Sequence, residues 1–227
     1  MHIPDGFIDA GTSAVAGVIA VGGLAYSVRK GAGELDDKQI PLAGLTAAFI
    51  FAVQMLNFPV ASGTSGHLLG GLLAAVLVGP YLGSLAVAVV LIVQSLLFAD
   101  GGLRALGLNI VNMSLVTVFG GYVLFLLLRR LVPATRTGVV VASGIAGFAS
   151  VVMASMAFVL EYAFGGEGSA SVGTVVAAMV GVHSLIGIGE GVITGLTVGV
   201  VLAVRPDLVY GARDLLPKLE LRPAVAA

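Results

Sequence analysis

A chain of 227 residues that is 58% hydrophobic and 10% charged, with a mean hydropathy of +1.10, is not a soluble globular domain, in which about a quarter of residues are charged. The lack of cysteine removes disulfides, thiolate metal sites and cysteine nucleophiles, and a net charge of −1 gives no electrostatic footprint for nucleic acid. The composition predicts an all-α integral membrane protein, and its 33 glycines suit close approach of membrane helices.

In chain order, the first feature is Met1-His2-Ile3-Pro4-Asp5-Gly6. Pro presets φ, Asp bonds locally and Gly accepts positive φ, so these residues predict a tight turn that folds the terminus back. A terminal amine, the next backbone nitrogen and a histidine ring at position two can close on one metal as fused chelate rings. Such a nitrogen-rich, tetragonal set suits Ni(II), Cu(II) or Co(II) rather than Mg(II) or Ca(II). No basic stretch precedes the first apolar run, so a cleavable signal peptide is not expected and Met1 is expected to remain the terminus.

A helix needs roughly 20 apolar residues to cross the hydrocarbon. Seven candidate segments follow, at about 9–28, 41–57, 67–79, 82–98, 109–128, 138–162 and 174–204. The third is short enough to be tilted or partly re-entrant. Asn57-Phe58-Pro59, Gly79-Pro80, Asp100-Gly101-Gly102, Pro133 and Gly165 to Gly168 mark the turns between them. The expected organisation is a transmembrane metal-binding unit over 1–204 and a cytoplasmic tail over 205–227.

Charge orients this bundle of about seven helices. With residue 1 outside, Arg29, Lys30, Lys38, Arg129, Arg130, Arg136, Arg205, Arg213, Lys218 and Arg222 fall on the cytoplasmic side, which is 10 of the 11 basic residues. Arg104 alone lies opposite. The positive-inside rule therefore predicts an extracytoplasmic amino terminus, with loops 58–66, 99–108 and 163–173 beside it, and a cytoplasmic carboxyl terminus.

Ionisable and polar residues inside the membrane are costly and mark function. His67, His183 and Glu190 stand out, with Gln54, Asn57, Gln94, Asn109 and Asn112 as polar company, while Asp100 and Arg104 are expected at the surface. His67 follows Ala61-Ser62-Gly63-Thr64-Ser65-Gly66 on the same side as the terminus. It is either a helix-start histidine satisfied by backbone or a fourth nitrogen that completes a planar set with Met1 and His2. His183 and Glu190 are seven residues apart and share a helix face. They are either a His–Glu or His–Ser polar contact that ties helices together, or residues that orient metal ligands.

Three separated motifs resemble the CbiM/NikM family, the substrate-binding membrane components of energy-coupling-factor transporters for cobalt and nickel. They are Met1-His2-Ile3-Pro4-Asp5-Gly6, Gln54 to Val60 leading into Gly63-Thr64-Ser65-Gly66-His67-Leu68-Leu69-Gly70-Gly71, and His183-Ser184-Leu185-Ile186-Gly187 through Glu190-Gly191-Val192-Ile193-Thr194. The resemblance spans about residues 1–204. It implies Met1, His2 and His67 as metal ligands; Asp5, Ser65, His183 and Glu190 are this sequence's own candidates for orienting them. It also implies a protein of the cell (inner) membrane with no permanent cofactor, whose cargo is Ni(II) or Co(II), the latter a supply for cobalamin biosynthesis. The implied partners are a coupling membrane subunit, cytoplasmic ATPases and a small accessory membrane protein. The chain has no G-x-x-x-x-G-K-[ST] motif of its own. Ala43-xxx-Ala47 and Ala48-xxx-Ala52 offer a small-residue face for docking, or for ordinary packing within the chain. Some cobalt members begin with a different turn behind a removed leader; Pro4-Asp5-Gly6 leans toward nickel.

A second resemblance competes. Gly63-Thr64-Ser65-Gly66 fits Gly-x-Ser-Gly, and with His183 on a late helix it is similar to the Ser–His dyad of rhomboid intramembrane proteases. The chain has no tryptophan and so no Trp-Arg motif of that family. A protease also leaves Met1-His2 without a role.

Overall fold

The computed structural model describes residues 1–33, 39–56, 58–59 and 65–215, with Phe58, Pro59 and Ser65 described by their main chain. The expected roles of Lys38, Asn57, Lys218, Arg222 and the Ser65 hydroxyl lie outside what is described. Among the described residues the fold is helical: α1 (Ala10–Gly31), α2 (Gln39–Gln54), α3 (Gly71–Val78), α4 (Pro80–Leu97), α5 (Leu106–Leu131), α6 (Arg136–Gly165) and α7 (Val172–Val204). Of these, α1, α4, α5, α6 and α7 are long and apolar enough to cross a membrane; α2 is apolar but has 16 residues. Large apolar side chains such as Val18, Leu45, Leu97, Leu160, Leu185 and Leu196 are exposed on the outer helix faces. In water that distribution would drive aggregation, whereas hydrocarbon accommodates it.

The predicted segments correspond to these helices with three differences of physical interest. The third is a helix of only 8 residues, Gly71–Val78, and all of its residues are buried. His67 therefore does not open that helix; it sits in the irregular stretch before it. The loop over 58–66 contains a minimal antiparallel pair, β1 (Phe58–Pro59) with β2 (Ser65–Gly66), in the register Phe58↔Gly66 and Pro59↔Ser65. Within α5, Val111–Gly120 is wound as a π-helix. That wider winding re-aims polar side chains: Ser114 Oγ donates to the Ser84 carbonyl of α4 at 2.8 Å, and Thr117 packs on Gly71 at the start of α3.

Two apolar cores stack along the bundle. One gathers Met1, Ile3, Leu69, Leu91, Leu108, Phe158 and Met179; the other gathers Leu72, Val76, Phe125, Val139, Leu202 and Val209. Two of the loops that the charge pattern assigned to one side, 99–108 and 163–173, meet the amino-terminal segment beside the first core. Ile8 bridges to Gly166, Asp9 N–H donates to the Gly165 carbonyl at 2.7 Å, and Gly102 N–H donates to the Ile3 carbonyl at 2.9 Å. At the other end, two 3-10 turns, Pro206–Leu208 and Tyr210–Leu215, fold back so that Val209 and Ala212 are buried, and Arg129 pairs with Asp214 at 2.7 Å.

Candidate metal site

The terminal segment is built into the first core. Gly6 takes φ +79, as the predicted turn requires, and Met1, His2 and Ile3 are 1%, 4% and 0% exposed. Asn109 of α5 holds Ile3 as a neighbouring strand would, accepting from its N–H at 2.8 Å and donating to its carbonyl at 3.3 Å. Asp5 is exposed and does not face the ring of His2. Its Oδ1 accepts the N–H groups of Arg104 and Ala105 at 2.8 and 3.2 Å, clamping the turn onto the start of α5. The chain passes Gly102 so closely that a Cβ there would clash with the Asp5 main-chain nitrogen and carboxylate, so no larger residue fits.

His2 and His67 come together with ring centroids 4.5 Å apart and planes tilted by 27°. Each ring has one nitrogen tied down. His2 Nε2–H donates to Gln94 Oε1 at 3.2 Å, because a carboxamide oxygen can only accept. That leaves Nδ1 as the bare nitrogen of His2, on the side where a chelate with its own main-chain nitrogen closes. His67 Nδ1–H donates to the Leu68 carbonyl at 2.7 Å, which leaves Nε2 bare, buried and without a hydrogen bond. A ring N–H held by a carbonyl, with the other nitrogen free, is the arrangement found in metal-ligating histidines.

Asp100 was expected at the surface but turns inward. Its Oδ1 lies 3.0 Å from His2 Nδ1, poorly aligned for a hydrogen bond, and the carboxylate is 17% exposed. Desolvation pushes the Met1 amine down to about 4, against the opposing pull of Asp100. Desolvation also lowers His2 and holds His67 well below the usual imidazole range. The amine and both rings are therefore unprotonated at neutral pH and ready to donate lone pairs. Among the described residues no three His, Cys, Asp or Glu side chains converge, so a metal held here draws on main-chain nitrogens as well.

His183 and Glu190 share a face of α7, as their spacing predicted, but do not pair with each other. His183 Nδ1–H donates to the Met179 carbonyl at 2.8 Å, and Ser184 Oγ donates to the Val180 carbonyl. Glu190, 1% exposed, accepts Leu69 N–H and Gly70 N–H at 2.6 Å each. Gly70 at φ +76 turns those two N–H groups the same way, forming an anion nest. Gln54 completes the clamp by donating to the Leu69 carbonyl at 2.7 Å. Glu190 thus fixes the His67–Gly70 stretch from across the bundle. Glu190→Gln leaves one of the two N–H groups without an acceptor, at a cost of about 1–3 kcal/mol. Thermal denaturation is expected to show that loss, and metal dialysis a drop in affinity of roughly 10–100-fold.

Sequence reasoning also passed over Glu161, within α6, which accepts from Asn112 Nδ2 at 2.7 Å. Its place inside an apolar span was the signal available. Of the alanines offered for docking, Ala43 and Ala47 are half-buried against the cores, while Ala48 and Ala52 stay exposed.

A family model for the cobalt uptake substrate-specific transmembrane region, CbiM, matches residues 2–208. The chain is 39% identical over 209 residues to a protein of Archaeoglobus fulgidus named for fused nickel transport, covering 92% of this chain and 68% of that one. It is 34% identical to a cobalt transport protein, CbiM, of Sorangium cellulosum, with 100% of each chain covered. A crystal structure of a transition metal transporter superposes with a TM-score of 0.83 at 32% identity, covering 90% of this chain and 93% of that one.

Proposed function

This chain belongs to the CbiM family, and from that premise we propose that it captures Ni(II) or Co(II) for an ATP-driven importer of the energy-coupling-factor type. A metal transport family, rather than an enzyme, displaces the intramembrane protease reading of Ser65 and His183. The observation that carries the proposal is the buried Met1-His2 terminus stacked on His67, with a bare nitrogen on each ring. We assign the ligands as the Met1 amine, the His2 main-chain nitrogen, His2 Nδ1 and His67 Nε2. Asp5, Asp100, Gln94 and Glu190 position them.

The site end of the bundle is extracytoplasmic in this reading, so the ion is taken from outside the cell membrane. The chain carries no ATPase motif, and we assign energy to cytoplasmic ATPases acting through a coupling membrane subunit. The α2 face exposing Ala48 and Ala52 is its docking surface. A small accessory membrane protein completes the set of partners.

Metal analysis of untagged protein loaded separately with Ni(II), Co(II) and Mg(II) tests the reading. Tight retention of the first two and not the third is expected. The proton count is a second check. Burial already keeps the amine unprotonated down to about pH 4, so loading near neutrality expels chiefly the proton of the His2 amide. Calorimetry in buffers of different ionisation enthalpy should therefore report release of about one proton, fewer than an exposed terminus of the same sequence gives. Release of one proton also means that affinity falls by about tenfold per pH unit on acidification, and more steeply toward pH 4, where the amine begins to compete as well.

A further inference from the structure

Met1, His2 and His67 are 1%, 4% and 0% exposed, so an ion arriving from outside has to pass whatever covers them. Over His2, that cover is the chain leaving α4. The Gln94 carbonyl accepts both Phe98 N–H and Asp100 N–H at 3.1 Å, which turns the chain back over the end of the helix. Ala99 takes φ +52 to make the reversal, at a place where glycine is the usual residue. Gly101 follows at φ +92, and a Cβ on it would stand 3.3 Å from His2 Cδ2 and 3.0 Å from Asn109 Nδ2, so the loop lies against the ring. Ser95 Oγ donates to the Gly101 carbonyl at 3.2 Å, and Gly102 N–H to the Ile3 carbonyl at 2.9 Å, which tie the loop down on both sides.

Asp100 stands between these two left-handed residues. One of its carboxylate oxygens lies 3.0 Å from His2 Nδ1, yet its side chain keeps 17% of its surface exposed. This carboxylate therefore reaches from the outside to a nitrogen that is otherwise closed off. Its chemistry suits a first contact. A carboxylate exchanges for one water of a hydrated divalent ion, and negative charge at the mouth of a closed site raises the local concentration of cations. A nitrogen-rich set binds Ni(II) and Co(II) better than a lone carboxylate does, so the ion moves on inward.

Building on the ligand set assigned above, we propose that Asp100 is the entry residue of the site: its carboxylate takes the hydrated divalent cation at the extracytoplasmic surface and passes it to His2 Nδ1, without remaining in the final shell. Asp100 then sets how fast Ni(II) and Co(II) are captured, and the nitrogen ligands set how tightly they are held. The turn from Ala99 to Gly102 is the element that points the carboxylate inward.

Stopped-flow absorption of the untagged full chain mixed with Ni(II) alone, following the planar nickel band, tests this. In the wild type the association rate should fall as ionic strength rises, because a fixed charge draws the ion in. Asp100→Asn should cut that rate by about tenfold or more and flatten its salt dependence. The loss of affinity should be carried by association, with dissociation into a chelator changed far less, the reverse of the usual pattern for a weakened contact. Asp100→Glu, which keeps the charge, should recover most of the rate and its salt dependence. The end-point planar band reports that the site has assembled in each variant. A carboxylate that merely held His2 in place would leave Asp100→Asn binding at the wild-type rate and releasing faster, and that result would overturn the proposal. So would an Asp100→Asn chain that binds no nickel at equilibrium, since the carboxylate would then belong to the final shell or to the fold. A wild type without the planar band would instead overturn the ligand set, and the entry role with it.

Discussion

Placing two alanines before Met1 is expected to abolish tight binding of nickel and cobalt, although no side chain is removed. The extension turns the Met1 amine into an amide and moves the new amine out of register with His2. The segment cannot slide to compensate. Ile3 is pinned by Asn109 and by Gly102 N–H, Asp5 by the N–H groups of Arg104 and Ala105, and Met1 is already 1% exposed. The added residues must also fit into a closed core, where overpacking alone costs about 1–3 kcal/mol. A loss of roughly a hundredfold or more, about 3 kcal/mol, is expected in equilibrium dialysis. An extension at the carboxyl end, far from the site, should leave affinity intact.

His2→Ala and His67→Ala should each remove high-affinity binding while the bundle stays folded. His2→Ala keeps the amine and the main-chain nitrogen but loses Nδ1, and it strands Gln94 Oε1 in the interior. His67→Ala deletes the one ligand that does not come from the terminus, together with the ring stacked on His2. Ser65→Ala is expected to be milder. A Ser–His protease would give the reverse ranking in a cleavage assay. Circular dichroism on each variant separates loss of the site from loss of the fold.

Much of this site could be read from local sequence. Pro4-Asp5-Gly6 encodes its turn within three residues, and the seven-residue spacing of His183 and Glu190 placed them on one face. What stayed hidden depends on partners far along the chain. Glu190 answers main-chain N–H groups about 120 positions away, and main-chain donors carry no side-chain signature. Asp100 looked like a loop residue because its partner, His2, lies at the far end of the sequence. Gln94 was visible as a polar residue in an apolar helix, but its task of fixing the His2 tautomer appears only when the rings are placed. The π-wound stretch Val111–Gly120 was equally silent, since α and π windings draw on the same apolar composition. The short α3 escaped its expected bounds because Gly70 and Gly71, needed for the nest and for contact with Thr117, delay the helix.

The measurement that bears most directly on the terminus as a metal-binding element is nickel K-edge X-ray absorption on the Ni(II)-loaded, untagged chain beside the same chain extended by two amino-terminal alanines. The ligand assignment predicts a planar shell of nitrogen donors, including imidazole, in the native chain, and loss of that shell in the extended one. A six-coordinate, oxygen-rich nickel in the native chain, or the same planar spectrum from both chains, would contradict it.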